Sequence, residues 1–227
     1  MPSWADIASP VTLTLALAAA TTLVLLLVGT PIAWWLARTR TAWREPIAAL
    51  VAMPLVLPPT VIGFYLLLAL GPNGPGGALA SLWGARTLAF SFLGLLIGSL
   101  FYSLPFMVQP LRVAFEGLDQ DTLDAAATLG AGRVQTFLRV VLGASASGLV
   151  TGLILTFAHT VGEFGVVLMI GGNIPGATKV LSISIYDFVE RGEWAGAHWL
   201  SAGMVVFAFV VVTATMLLDR RFGRLTG

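Results

Sequence analysis

The sequence has no cysteine, one lysine, and little charge of either sign. Only 10% of its 227 residues are charged, against about 25% in soluble domains. Without cysteine there is no disulfide framework, no thiolate nucleophile and no thiolate metal ligand. The lone lysine, Lys179, lies between Thr178 and Val180. It therefore falls outside the Gly-x-x-x-x-Gly-Lys-Ser/Thr frame, whose amides cradle phosphate. If ATP drives this protein, another chain binds the ATP. His159 and His198 stand far apart, and no Gly-x-Ser-x-Gly elbow occurs. No catalytic residue and no metal ligand is assigned. Net charge is +1, so bulk electrostatics imply no nucleic-acid partner.

What is present is apolar. Hydrophobic residues make up 57% of the chain, and mean hydropathy is +0.92, the opposite of a disordered composition. A spanning helix needs about 20 apolar residues. Five stretches qualify, near 11–37, 47–70, 88–108, 140–162 and 195–218. None alternates as barrel strands do, and open sheets cannot span lipid. The expected fold is an all-α integral membrane protein of about five spans, a single transmembrane domain over 1–227.

No basic residue precedes the first stretch, so it lacks the basic region of a signal peptide. Alternating sides from there puts Arg38, Arg40, Arg44, Arg112, Arg133, Arg139, Arg220, Arg221 and Arg224 on one side. Only Arg86, Lys179 and Arg191 fall on the other. Nine against three predicts an outer N-terminus and a cytoplasmic C-terminus. Inverted-repeat transporters show two related halves, and five spans cannot divide that way.

The longest inner loop, about 109–139, contains Asp119, Asp121 and Asp124 ahead of Ala125, Ala126 and Ala127, then Gly130 and Gly132. Early acidic residues suit a helix N-terminus, alanines give propensity without bulk, and the glycines end the helix. The pattern predicts a short small-faced helix that can settle into a partner's groove. An ordinary amphipathic connector has the same composition.

The second stretch contains Pro54, Pro58 and Pro59, followed by Gly63. Each proline removes a backbone donor. Counted from Pro46 along a straight helix, they lie about 12–20 Å deep. Irregular backbone at that depth needs protein or a water-filled cavity beside it. A kinked helix lining a pathway or gate is expected, with a plain packing kink as the alternative. At the end of the fourth stretch, His159 precedes Glu163 by one helical turn, so the two can pair at i,i+4. A membrane-depth carboxylate must face protein or water. Glu163 is read as an anchor to a neighbouring helix or loop rather than a pathway contact, because it would repel an anionic substrate. Gly94 with Gly98, and Gly148 with Gly152, form small-residue faces for close packing, either within one subunit or between two.

The inner loop resembles the coupling loop of binding-protein-dependent ABC transporter permeases. Asp124-Ala125-Ala126 and Gly130 occupy the places of that family's Glu-Ala-Ala and Gly. Leu142-Gly143 stands where Leu-Pro is usual. The runs Met53–Gly63, Gly162-Glu163-Phe164-Gly165 and Asn173-Ile174-Pro175-Gly176 together resemble the molybdate permeases within that family. Ala177 departs from a common Glu, and His159 from a common Arg.

The resemblance implies the type I permease fold and an importer subunit of the bacterial inner membrane, not an enzyme. A second copy of the chain would complete the pathway. Two cytoplasmic ATP-binding subunits, holding the ATP and magnesium, would dock on the loops. An extracytoplasmic oxyanion-binding protein would meet Asn173, Pro175 and Gly176. Tungstate or sulfate is the alternative cargo. An intramembrane enzyme lacks a nucleophile–base pair at suitable spacing, and a passive channel leaves the coupling loop without a purpose.

Overall fold

In the computed structural model the backbone is described for residues 4–223 and the side chains for residues 7–218. Arg224 lies outside the described residues, and Arg220 and Arg221 are described by backbone alone. Among the described residues all regular structure is helical. The first span is α1 (Trp4–Arg38), 35 residues and about 52 Å long at 1.5 Å per residue. Next come α2 (Arg44–Ala52), a 3-10 turn (Met53–Leu55) and α3 (Pro59–Leu70), then α4 (Pro75–Ala80) and a second 3-10 turn. The central span is α5 (Phe92–Glu116). The inner arm follows: α6 (Gln120–Thr128), α7 (Arg133–Thr136), a π-helical turn (Phe137–Val141) and α8 (Leu142–Ala144). Then come α9 (Ala146–Gly162), α10 (Gly165–Gly171), α11 (Leu181–Glu190) and α12 (Trp194–Gly223).

α1, α5 and α12 are each long and apolar enough to cross a bilayer, and counting each of two bent helix pairs as one span gives up to five. The second span is not one helix. Its halves, Arg44–Leu55 and Pro59–Leu70, meet at 107°. The cause is the double proline. The residue before a proline is pushed out of the α region, and Pro58 sits at φ −56°, ψ 137°. Pro59 then opens α3, where its missing N–H costs nothing. The straight-helix depth count therefore fails beyond Pro58.

Other boundaries shift for local reasons. The third span begins at Phe92, not near Leu88, because the Ser91 hydroxyl caps it by accepting the Gly94 N–H at 3.1 Å. It runs on to Glu116, so part of the expected inner loop is helix. The fourth stretch is bent: Arg133–Ala144 meets Ala146–Gly162 at 75°, and the two qualify as one span only together, so the expected start near 140 falls inside the first half. The expected outer loop contains α11.

α5 is the centre, packed by α1, α9 and α10. One core lies toward its C-terminal end, around Leu36, Met107, Leu111 and Phe115. There Trp34 meets the Phe115 and Phe137 rings edge-on at 5.3 and 5.4 Å. A second lies toward its N-terminal end, around Leu17, Leu95, Val166, Ile170 and Ile183. Small residues let the helices close. A Cβ on Gly148 would lie 2.4 Å from the Ala114 Cβ, and one on Gly152 3.2 Å from the Met107 carbonyl oxygen. Both glycines thus pack α9 on α5 within one subunit. α12 stands apart, with only 6% of its most apolar stretch buried.

Candidate functional site

Two interrupted helices meet beside α5. α3 packs on α10. Pro59 lies against Gly165, where a Cβ would fall 2.6 Å from its own. One turn on, a Cβ on Gly63 would fall 2.6 Å from the Met169 Cβ. The structure thus joins the expected gate residues Pro59 and Gly63 to the segment that follows Glu163. Pro54 lies in the 3-10 turn and Pro58 at the bend. Around them Met53, Leu55 and Val56 are exposed, Val56 at 86%. This apolar surface at the break is open on the single chain.

Glu163 sits where α9 stops. Its backbone is extended, at φ −67° and ψ 133°, so it has left the helical path on which His159 lies. The i,i+4 pair expected from the sequence does not form. The Glu163 Oε2 instead accepts the Ser99 hydroxyl of α5 at 2.9 Å, and its carbonyl accepts the Ser182 hydroxyl of α11 at 2.5 Å. Its Oε1 is buried without a partner, in a residue 4% exposed. His159 turns to Ser103, with Nδ1 to Oγ at 3.0 Å, and Ser103 also meets Thr160 at 3.0 Å. The Phe106 ring stacks on the imidazole at 3.9 Å. Ser99 and Ser103 were missed from sequence. Their spacing held a signal, since two hydroxyls one turn apart on an apolar helix match Glu163 and His159 at the same interval.

At the α5 C-terminus the chain turns into α6. The Asp119 carboxylate caps it by accepting the Asp121 N–H at 3.3 Å. Asp124 holds Gln120 at 3.0 Å, Ala126 is buried, and Ala125 is exposed. Gly130 follows at φ +81°, the left-handed position that closes many helices. Nothing lies within 4 Å of a Cβ placed there. The arginines nearby brace this end. Glu116 pairs with Arg44 at 2.6 Å and Arg112 at 2.9 Å, while Arg38 donates to the Leu118 carbonyl at 3.3 Å.

The opposite end carries the 173–176 loop. Asn173, Pro175 and Gly176 are exposed. The Asn173 amide donates to Asp187 at 3.2 Å. Thr178 fixes the loop base by donating to the Gly171 carbonyl at 2.6 Å. Asp187 also pairs with Lys179, and with Arg191 at 3.1 Å. The Lys179 hydrogen bond, ahead of its charge, holds the Asp187 carboxyl below its ordinary value against the opposing pull of burial. Among the described residues no group of three His, Asp or Glu could share a metal.

Residues 29–226 match the family model described as binding-protein-dependent transport system inner membrane component. The chain is 57% identical, over 92% of each sequence, to the molybdenum transport system permease protein ModB of Azotobacter vinelandii. It is 34% identical to a probable sulfate transport system permease protein, cysT, of Prototheca wickerhamii, over 85% of this chain and 77% of that one. A bacterial alginate ABC transporter, solved with an alginate pentasaccharide-bound periplasmic protein, superposes with a TM-score of 0.73 at 17% identity. That match covers 94% of this chain and 78% of the other.

Proposed function

The chain belongs to the binding-protein-dependent transport system inner membrane components, and from this premise we infer that it is the permease subunit of an ATP-driven molybdate importer. The observation that carries the cargo is the near-full-length identity to a molybdenum permease, 57% against 34% for the sulfate permease. Sulfate by the same mechanism is the second reading, favoured by that weaker match. The protein is a multi-pass component of the inner membrane, with the α6 end cytoplasmic and the 173–176 loop outside, as the nine-to-three distribution of basic residues supports.

The rest of the mechanism is assigned residue by residue. α6, with Asp124, Ala125 and Ala126, and its Gly130 cap form the docking element for a separate ATPase chain, which binds ATP and magnesium. An open Gly130 beside a buried Ala126 supports this, since a partner can approach the backbone closely. Two copies of the chain enclose the pathway, with the exposed apolar surface around Val56 turned to the second copy. The breaks at Pro58 and Glu163 let short helices tilt against α5 without unfolding a long one. Asn173, Pro175 and Gly176 meet the extracytoplasmic binding protein. Glu163 anchors the α9–α10 junction to α5 through Ser99 and to α11 through Ser182 rather than touching the ion.

Uptake of labelled molybdate by proteoliposomes holding this chain, its ATPase and its binding protein tests the reading. ATP-dependent uptake, suppressed by tungstate but not by sulfate, is expected. ATP-driven uptake of sulfate in place of molybdate would correct the cargo, and uptake without ATP would overturn the importer.

A further inference from the structure

A cavity of about 300 Å3 opens between the first turns of α1, the 173–176 loop and α11. Lys179 and Arg191 line it, with Ser184, Pro10 and Gly176. Three basic residues occupy the predicted outer segments, and two of them converge here. The Ser184 hydroxyl is buried, its residue 1% exposed, and has no hydrogen-bond partner. A buried hydroxyl without a partner costs about 1–3 kcal/mol, so an acceptor entering this cavity would be favoured beside it.

The donors are fixed in place. Lys179 gives one of its three N–H groups to Asp187. The Arg191 guanidinium lies over the Phe188 ring at 4.9 Å and pairs with Asp187 and Glu193 at 3.1 and 3.2 Å. None of the described residues lining the cavity is acidic. Asp187 and Glu193 pair with the two cations, so the four charges balance, and the cavity offers N–H donors rather than excess charge; the Glu193 pair is solvent-exposed and weak.

We propose that this cavity is a receiving site for a tetrahedral oxyanion, held by Lys179, Arg191 and the Ser184 hydroxyl. Charge-assisted N–H donors and one hydroxyl match the acceptor-only surface of such an ion. The choice of molybdate as ligand rests on the cargo proposed above; the site itself does not. Its position beside Pro175 and Gly176 makes it the first station for an ion released by a protein bound to that loop.

Lys179 is the sole lysine, so acylation of its amine reports on this cavity alone. The full chain in lipid nanodiscs, without ATPase or binding protein, is treated briefly with an amine-reactive ester, and Lys179 labelling is read by peptide mass spectrometry. Bound ion slows labelling by 1 + [L]/Kd, about fivefold at four times Kd. Saturable protection by millimolar molybdate or sulfate, but not by chloride at equal ionic strength, is expected. Ser184→Ala should weaken protection and Arg191→Gln abolish it, with both variants eluting from size exclusion as wild type. Labelling unaffected by oxyanions, slowed equally by chloride, or protected unchanged in both variants would overturn the site. Because the assay needs no transport, protection that persists while molybdate uptake fails would remove the cargo reading and leave the site standing.

Discussion

Gly63 and Gly130 are the same residue in opposite surroundings. Gly63 is buried where α3 crosses α10, and any added side chain meets Met169. Gly130 ends α6 in open space, and an added side chain meets nothing of this chain. The first glycine serves the fold. The second serves the left-handed turn that closes α6 and leaves open space beside it.

The strongest way to break this contrast is Gly63→Leu. Overpacking costs about 1–3 kcal/mol, sometimes more, and here the clash begins at the Cβ. The variant should show a marked loss of monodisperse protein and a lower melting temperature on size-exclusion and thermal-shift analysis. A stable, active Gly63→Leu protein would refute the close approach of α3 and α10.

Gly130→Trp should do the reverse. Left-handed backbone costs a non-glycine residue about 1–2 kcal/mol, so Gly130→Ala measures that strain alone. The alanine variant should keep most uptake. The tryptophan variant should melt close to the alanine one yet lose about tenfold or more of ATP-driven uptake, the equivalent of about 1.4 kcal/mol in docking. Equal uptake by the two variants would show that no partner approaches this position.

Ser99→Ala sharpens the interior side. It leaves the Glu163 carboxylate with neither oxygen bonded, at a cost of about 1–3 kcal/mol. Thermal stability should fall, and the pattern of tungstate and sulfate competition should stay as in wild type. Altered selectivity at unchanged stability would move Glu163 into the pathway.

The smallest effect is expected at the outer loop. Asp187 has a depressed folded-state pKa, so its stabilisation is complete above the ordinary aspartate value of about 3.9. It is lost as pH falls through the lower folded value. Wild type should therefore lose more melting temperature than Asp187→Asn as pH falls from about 5 through the lower folded value. Parallel curves would deny the Lys179 pair a role in stability.

The long apolar runs were legible because lipid demands them: three stand as single helices, and two more count as spans if each bent pair is taken as one. The bend at Pro58 was legible because two adjacent prolines forbid a straight helix, although its 107° angle was not. The bend at Ser145 was hidden. No proline marks it, and the π-helical turn before it depends on packing against Trp34 and Phe115. The polar site was half visible. Glu163 and His159 stood out as rare groups in an apolar run. Their partners did not, since serine is common in membrane helices and sequence distance conceals that Ser99 and Ser103 face them across two spans. The expected His159–Glu163 pair failed for one reason: helical spacing holds only while the helix continues, and α9 ends at Gly162.

The sparse burial of α12 bears on how the protein is made. Its buried residues lie near its start, where Ala197 and Leu200 meet Phe188 of α11; farther along it touches α9, with the Phe207 ring 6.4 Å from Phe157, and most of its apolar stretch stays exposed. Both cores around α5 are complete without it. The earlier spans can therefore close into a bundle while the final helix is still on the ribosome. That helix then partitions into the bilayer on its own hydropathy, joining a neighbour already in place.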